Sequence, residues 1–164
     1  MSDLSVPLKE LNGWLAAKGT NIELFVIGAF ALHLHGVSQR YTLDVDTITF
    51  LDSEVRGKVE EIGEKYGLPS WLNDQANSVV LPEGIEQRAL QYDEFSHIRI
   101  KYAAREDLIK LKVAAYYYRK QDDPKDLDDI ISLSPNEKEI EEGVNFLLTS
   151  HLPEVEAFHA GFKK

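Results

Sequence analysis

Two aspartates separated by one residue, Asp44 and Asp46 in the run R-Y-T-L-D-V-D, are the side chains in this sequence whose type and spacing most directly suggest chemistry. The surrounding stretch, residues 43–51, reads as a strand. Strand side chains alternate between faces, so the two carboxylates share one face while Leu43, Val45 and Thr47 take the other. Aspartate is depleted in strands, and two carboxylates at this spacing stand roughly 6.5 Å apart at the backbone. At an effective dielectric of about 20 their repulsion is about 2.5 kcal/mol. A divalent cation between them removes that cost. Mg²⁺ (or Mn²⁺) takes one or two protein carboxylates and completes its shell with water and phosphate oxygens, so D-x-D suits a metal-nucleotide site. The alternative is a strand end at which both aspartates are simply solvated.

The elements that must position this pair lie just upstream. Residues 23–27 form a short apolar, β-branched run that reads as a buried strand, punctuated by Gly28. Residues 29–35 read as a short helix stopped by Gly36, where glycine can take the left-handed conformation. Glycine at position 28 also permits close approach of a phosphate to backbone N–H groups at a helix start, where the dipole favours anions. Arg40 fits either a phosphate contact or a structural clamp on the D-x-D strand. His33 and His35, two apart on a helix, do not face each other and are not read as a metal pair.

These residues resemble a family. The succession V-I-G-A-F-A, H-G and R-Y-T-L-D-V-D resembles the signature of minimal nucleotidyltransferases: a hydrophobic strand, Gly-Gly or Gly-Ser, a short helix and D-x-D. Within that superfamily it is most similar to the AbiEii-like and related proteins, whose pattern adds W-L-N and a late helix pair carrying Lys and Asp. Here those later parts are Trp71-Leu72-Asn73, E-D-L-I-K-L-K-V-A-A around Lys112, and K-D-L-D-D-I around Asp126.

The resemblance spans about residues 20–133. It implies a nucleotidyltransferase fold and transfer of a nucleoside monophosphate from a nucleoside triphosphate to an RNA or protein acceptor, in the setting of a toxin and antitoxin pair. It further implies a metal held by Asp44 and Asp46, nucleotide contacts from Gly28, Ala29 and Arg40, and catalytic parts for Lys112 and Asp126. On that reading the Lys112 helix lines one cleft with Gly28 and the aspartates.

The sequence departs from the family pattern at three points. Ala29 and Phe30 stand where the second glycine or the serine of other branches would be. The later strand, residues 97–102, brings Arg99 and Lys101 rather than a third carboxylate. No second, acceptor-recognising domain is expected. A protein of this fold that binds a nucleotide or a partner without catalysis is therefore the competing expectation. For Lys112 and Arg119 the alternative is a solvated helix face, and for Asp126, Asp128 and Asp129 a polar cluster of an acidic protein. Trp71 reads as packing beneath the site.

Composition sets the frame. The chain has 164 residues, 43% hydrophobic, with a formal net charge of -10 and no cysteine. This predicts one domain over 1–164, with a core at 20–133. Disulfides and thiolate metal sites are excluded, and an acidic balance argues against extensive coating by nucleic acid. No membrane span or basic-then-apolar leader is expected, so the predicted location is cytoplasmic.

The fold class expected is α/β (α+β): a mixed sheet flanked by helices, with a helical C-terminal part. Residues 5–18 read as an opening helix with Ser5 as cap and Gly19 as stop, and residues 53–66 as a helix capped by Ser53. A short strand is expected at 78–81. Residues 106–119 and 124–133 read as helices, the second opened by Asp123-Pro124. A capping box at Ser134 and Glu137 introduces a last helix, from about 135, that buries Ile140, Val144 and Leu147.

Overall fold

The computed structural model describes residues 4–37, 41–119 and 124–150. They group into two compact units: 4–79 with 86–104, and 80–85 with 105–150.

The first unit is built on a mixed five-stranded sheet in the order β3-β2-β1-β5-β4, comprising β1 (Ile22–Ile27), β2 (Val45–Thr47), β3 (Leu72–Asn73), β4 (Leu90–Tyr92) and β5 (Ile98–Tyr102). The central β1 runs parallel to β5 and antiparallel to β2; β3 joins β2 in parallel, and β4 joins β5 antiparallel. Leu24, Phe25, Val26 and Ile27 are all buried, the continuous apolar run of a central strand. The helices of this unit include α1 (Ser5–Lys18), α2 (Gly28–Leu34) and α3 (Ser53–Tyr66). The helix α1 buries Leu8, Leu11 and Leu15, whereas α3 buries Val55, Val59 and Ile62. Trp71 is fully buried and donates its indole N–H to the Val59 carbonyl at 2.9 Å, the packing role expected of it.

The second unit is helical, with α5 (Arg105–Arg119), α6 (Lys125–Leu133) and α7 (Glu137–Ser150). Gly143 of α7 faces α5 closely enough that a Cβ there would stand 3.0 Å from Val113 Cγ2. Arg105 ties the end of α6 to the start of α7. Its guanidinium donates to the Leu133 carbonyl at 2.6 and 3.1 Å and to the Ser134 carbonyl at 3.0 Å, and pairs with Glu139. These bonds satisfy carbonyls that the last turn of α6 leaves open. The single-turn helix α4 (Ile85–Arg88) precedes β4.

The expected α/β class, mixed sheet and helical C-terminal part are present, while several local details differ. The D-x-D strand covers only Val45–Thr47, not 43–51. Just past it, Ile48 N–H still donates to the Phe25 carbonyl at 2.9 Å, and threonine side chains add to the ladder: Thr47 Oγ1 donates to the Phe25 carbonyl at 2.9 Å, Thr49 Oγ1 accepts from Phe25 N–H at 2.9 Å, and Thr42 Oγ1 donates to the Asp44 carbonyl at 3.2 Å. No strand forms at 78–81, because Ser78 closes a 3₁₀ turn (Gln75–Ser78) and Val79 and Val80 are exposed; pairing falls instead on Leu72–Asn73.

Ser5 makes no capping bond, and α3 is capped by Asp52 rather than Ser53, through Val55 N–H at 2.8 Å. The capping box sits two residues later than expected. Asn136 and Glu139 exchange bonds of 2.9 Å each, while Ser134 takes a left-handed φ of 47° after α6. As a result α7 buries Gly143, Phe146 and Leu147, leaving Val144 exposed. The expected Asp123 cap lies outside the described residues.

Candidate functional site

In the sheet unit the site is assembled where β1 turns into α2. Gly28 opens α2 with φ +76°, a conformation that costs other residues about 1–2 kcal/mol. Across the sheet, Ile27 pairs with Asp46, which brings the Asp46 side chain against the glycine. A Cβ on Gly28 would lie 2.8 Å from Asp46 Oδ2. The other carboxylate oxygen, Oδ1, accepts a 2.9 Å hydrogen bond from Asn73 Nδ2 on β3, the register partner of Asp46. Asp46 is thus half-buried, wedged between a bare Cα and an amide donor.

Asp44 precedes the strand and is exposed, its Oδ1 accepting from Thr42 Oγ1 at 3.1 Å. Burial alternates as expected from Asp44 onward, with Val45 and Thr47 buried and the two aspartates not, but Leu43, expected on the buried face, is exposed because it precedes the strand. Asp46 Oδ1 is oriented by the Asn73 amide and Asp44 Oδ1 by the Thr42 hydroxyl, and Asp44 remains open to solvent. Oriented, ionised carboxylates with amide or hydroxyl support are suitable ligands for a hard cation that draws its remaining oxygens from water and phosphate. Among the described residues no group of three or more His, Asp or Glu could hold a metal alone. Asp44 and Asp46 are thus two carboxylates that could contribute to a cation's shell, with the remaining ligands supplied from elsewhere. On β5, Lys101 and Arg99 approach Glu23 at 3.0 and 3.6 Å, so this strand offers no further carboxylate to the pair.

Ala29 follows Gly28 in ordinary right-handed helix. Arg40 lies outside the described residues. His35 is structural: its Nε2 is 2.8 Å from the Ala103 carbonyl and its ring meets Tyr102 edge-on.

The helical unit holds the late residues. Lys112 Nζ stands 2.7 Å from Asp129 Oδ2 and 3.2 Å from Asp126 Oδ1, and both aspartates are 2% exposed. Arg119 Nη2 donates to Asp126 Oδ1 at 3.1 Å; it also lies 2.9 Å from Oδ2, which receives no directed hydrogen bond. This is a desolvated charge cluster: Lys112 does not lie on a solvated face, whereas Asp126 and Asp129 do form a polar cluster, a buried one. Asp128 and the Arg119 side chain remain exposed. Lys112 and Asp126 are brought together as expected. Asp129, the closer partner, was visible in sequence only as an aspartate one turn further along α6.

Asn73 was visible only as part of W-L-N, and nothing in the sequence tied its amide to Asp46, because β3 is two residues long and its pairing is non-local.

A family described as "Nucleotidyltransferase of unknown function (DUF6036)" matches residues 6–138. That match takes in well over half of the 164 residues, and the chain belongs to this family. No curated protein and no solved structure matches it.

Proposed function

We propose that this member of the nucleotidyltransferase family moves a nucleoside monophosphate from a nucleoside triphosphate to an RNA or protein acceptor, in the cytoplasm. The AbiEii-like resemblance suggests the setting, the toxin half of a toxin and antitoxin pair. The observation that carries the reading is the Asp46 carboxylate held between Gly28 and Asn73, with Asp44 on the same side of the buried pattern.

In the proposed reaction an acceptor oxygen forms a bond to the α-phosphorus while the bond to the bridging oxygen breaks. Pyrophosphate leaves with the electron pair, and the acceptor's proton passes to solvent. A bound Mg²⁺ or Mn²⁺ would supply charge neutralisation for the triphosphate. The residues of the chain do the positioning. Asp44 and Asp46 present oxygens already oriented by Thr42 and Asn73, and Gly28 and Ala29 present backbone N–H groups at a helix start. Lys112 is assigned to phosphate charge by the resemblance, and Asp126 and Asp129 fix its ammonium within the helical unit.

A second reading, nucleotide binding without transfer, is favoured by the absence of a three-ligand acidic cluster among the described residues. Calorimetric titration with each of the four Mg-nucleoside triphosphates, followed by labelled pyrophosphate release with cell extract as acceptor source, separates the two. Transfer predicts saturable binding and pyrophosphate release, both lost in the Asp44→Asn/Asp46→Asn double variant. Binding with no product under any triphosphate selects the second reading, and no metal-dependent binding at all refutes both.

A further inference from the structure

In the sheet unit, a cavity of about 180 Å³ lies among α1, α2, the end of β4 and the segment that follows it. Leu8 and Leu34 form part of its apolar wall, Ser5 adds a hydroxyl-bearing residue, and the rings of Phe30, His33, Tyr92 and Phe95 line much of the remainder. The Tyr92 and Phe95 rings meet at 64° with centroids 6.4 Å apart, and Phe30 stacks with His33 at 6.2 Å. One acidic side chain, Glu94, stands in the lining; among the described residues that line the cavity there is no lysine or arginine. The Tyr92 hydroxyl donates to Glu94. Burial, then the bond to Glu94, pushes the phenol up to about 12, so Tyr92 keeps the proton it donates to Glu94. The cavity is separate from the aspartate pair. Strands β1 and β5 intervene between β2 and β4, a sheet distance of roughly 14 Å.

Ring faces carry negative potential, and a carboxylate beside them favours a cation over an anion or a neutral guest. A hole of about 150 Å³ already admits a six-membered ring, so this one has room for a methylated ammonium head. We propose that the cavity formed by Phe30, His33, Tyr92, Phe95 and Glu94 is a binding site for an alkylammonium group. The group could be carried by a free small molecule or by the end of a methylated lysine. This site is independent of the nucleotide reading.

The test follows the ring NMR signals of Tyr92 and Phe95 in the full chain at pH 8 as tetramethylammonium chloride is added, with sodium chloride holding ionic strength constant. The expected result is a saturable shift of both rings. Tetramethylammonium should bind about fivefold more weakly to Glu94→Gln, a loss of one near-surface charge contact, and about 2- to 30-fold more weakly to Phe95→Leu. Glu94 is exposed, so the first variant keeps the fold.

tert-Butanol, similar in size but neutral, should produce no saturable shift. Acetyl-trimethyllysine amide distinguishes the two sources. Binding no tighter than tetramethylammonium indicates a free ligand, and binding at least about tenfold tighter indicates a protein side chain. The proposal is overturned by an equal response to tert-butanol, by no saturation with either cation, or by a Glu94→Gln variant that binds as the parent does.

Discussion

Replacing Gly28 by alanine separates two costs that the structure superimposes. The first is conformational: φ +76° costs a residue with a Cβ about 1–2 kcal/mol. The second is local. The new Cβ would sit 2.8 Å from Asp46 Oδ2, so the carboxylate must move and its 2.9 Å bond from Asn73 is lost, a further cost of about 1 kcal/mol. The total is about 2–3 kcal/mol, a fall in Tm of roughly 4–12 °C for a chain of this size. In an Asp46→Ala background the second cost has no origin, so Gly28→Ala there should cost only the first.

Gly19→Ala supplies the control for strain alone, since Gly19 has φ +66° and nothing within 4 Å of a Cβ. Urea unfolding in chelator, followed by the fluorescence of Trp14 and Trp71, measures the cycle, because both tryptophans belong to the sheet unit. A coupling of about 1 kcal/mol between positions 28 and 46 is expected. Additivity to within about 0.3 kcal/mol, as for sites without shared partners, would refute the wedge between Gly28 and Asp46.

Asn73→Ala should weaken Mg-dependent nucleotide binding about 10- to 100-fold by calorimetry, because the amide that orients Asp46 is gone while both aspartates remain. Lys112→Met should cost about 3–5 kcal/mol by circular dichroism in urea, since it removes the ammonium shared by two buried carboxylates; adding Asp126→Asn and Asp129→Asn should restore much of it. Asp74 is held below the usual carboxylate range chiefly by the Leu51 N–H, with Arg56 assisting against desolvation. A lowered folded pKa gives stability that is present above the unfolded value and lost as the pH falls through the folded one. Asp74→Asn should therefore lower Tm at pH 7, with the difference shrinking in acid below the ordinary carboxylate range. Ala29→Gly should cost about 0.5–1 kcal/mol and bring no gain in nucleotide affinity.

What the sequence made legible followed from local rules. Gly36, read as the stop after α2, is left-handed in the structure, and the period-2 pattern of Ile98 and Ile100 marked β5. What it hid depended on competition or distance. At the helix starts, Asp52 stood beside Ser53 and Asn136 beside Ser134. The choice between neighbours was settled by where the chain entered each helix. The strand β2 looked longer because residues 48–51 are apolar or β-branched, yet past Thr47 the contact to β1 narrows to Phe25, whose carbonyl accepts from Ile48 N–H and whose N–H donates to Thr49 Oγ1. Lys112, Asp126 and Asp129 could be aligned by helical spacing, but their burial depends on how α5 meets α6, which no single-helix pattern encodes.

The departure at Ala29 can now be weighed physically. The family-type signature carries glycine, or glycine and serine, at the turn from strand to helix, and an alanine there would seem to weaken the site. The structure assigns the two positions different burdens. Gly28 has the positive φ and the close approach to Asp46, so it cannot acquire a side chain without moving a carboxylate. Position 29 lies in right-handed helix, where alanine is the better helix former and still presents its N–H. What Ala29 and Phe30 forgo is a hydroxyl contact to phosphate, a loss confined to the ligand and without effect on how Asp46 is held. Phe30 instead spends its ring in the core and on the wall of the aromatic cavity, so α2 presents its first residue to the aspartates and its later residues to the other site.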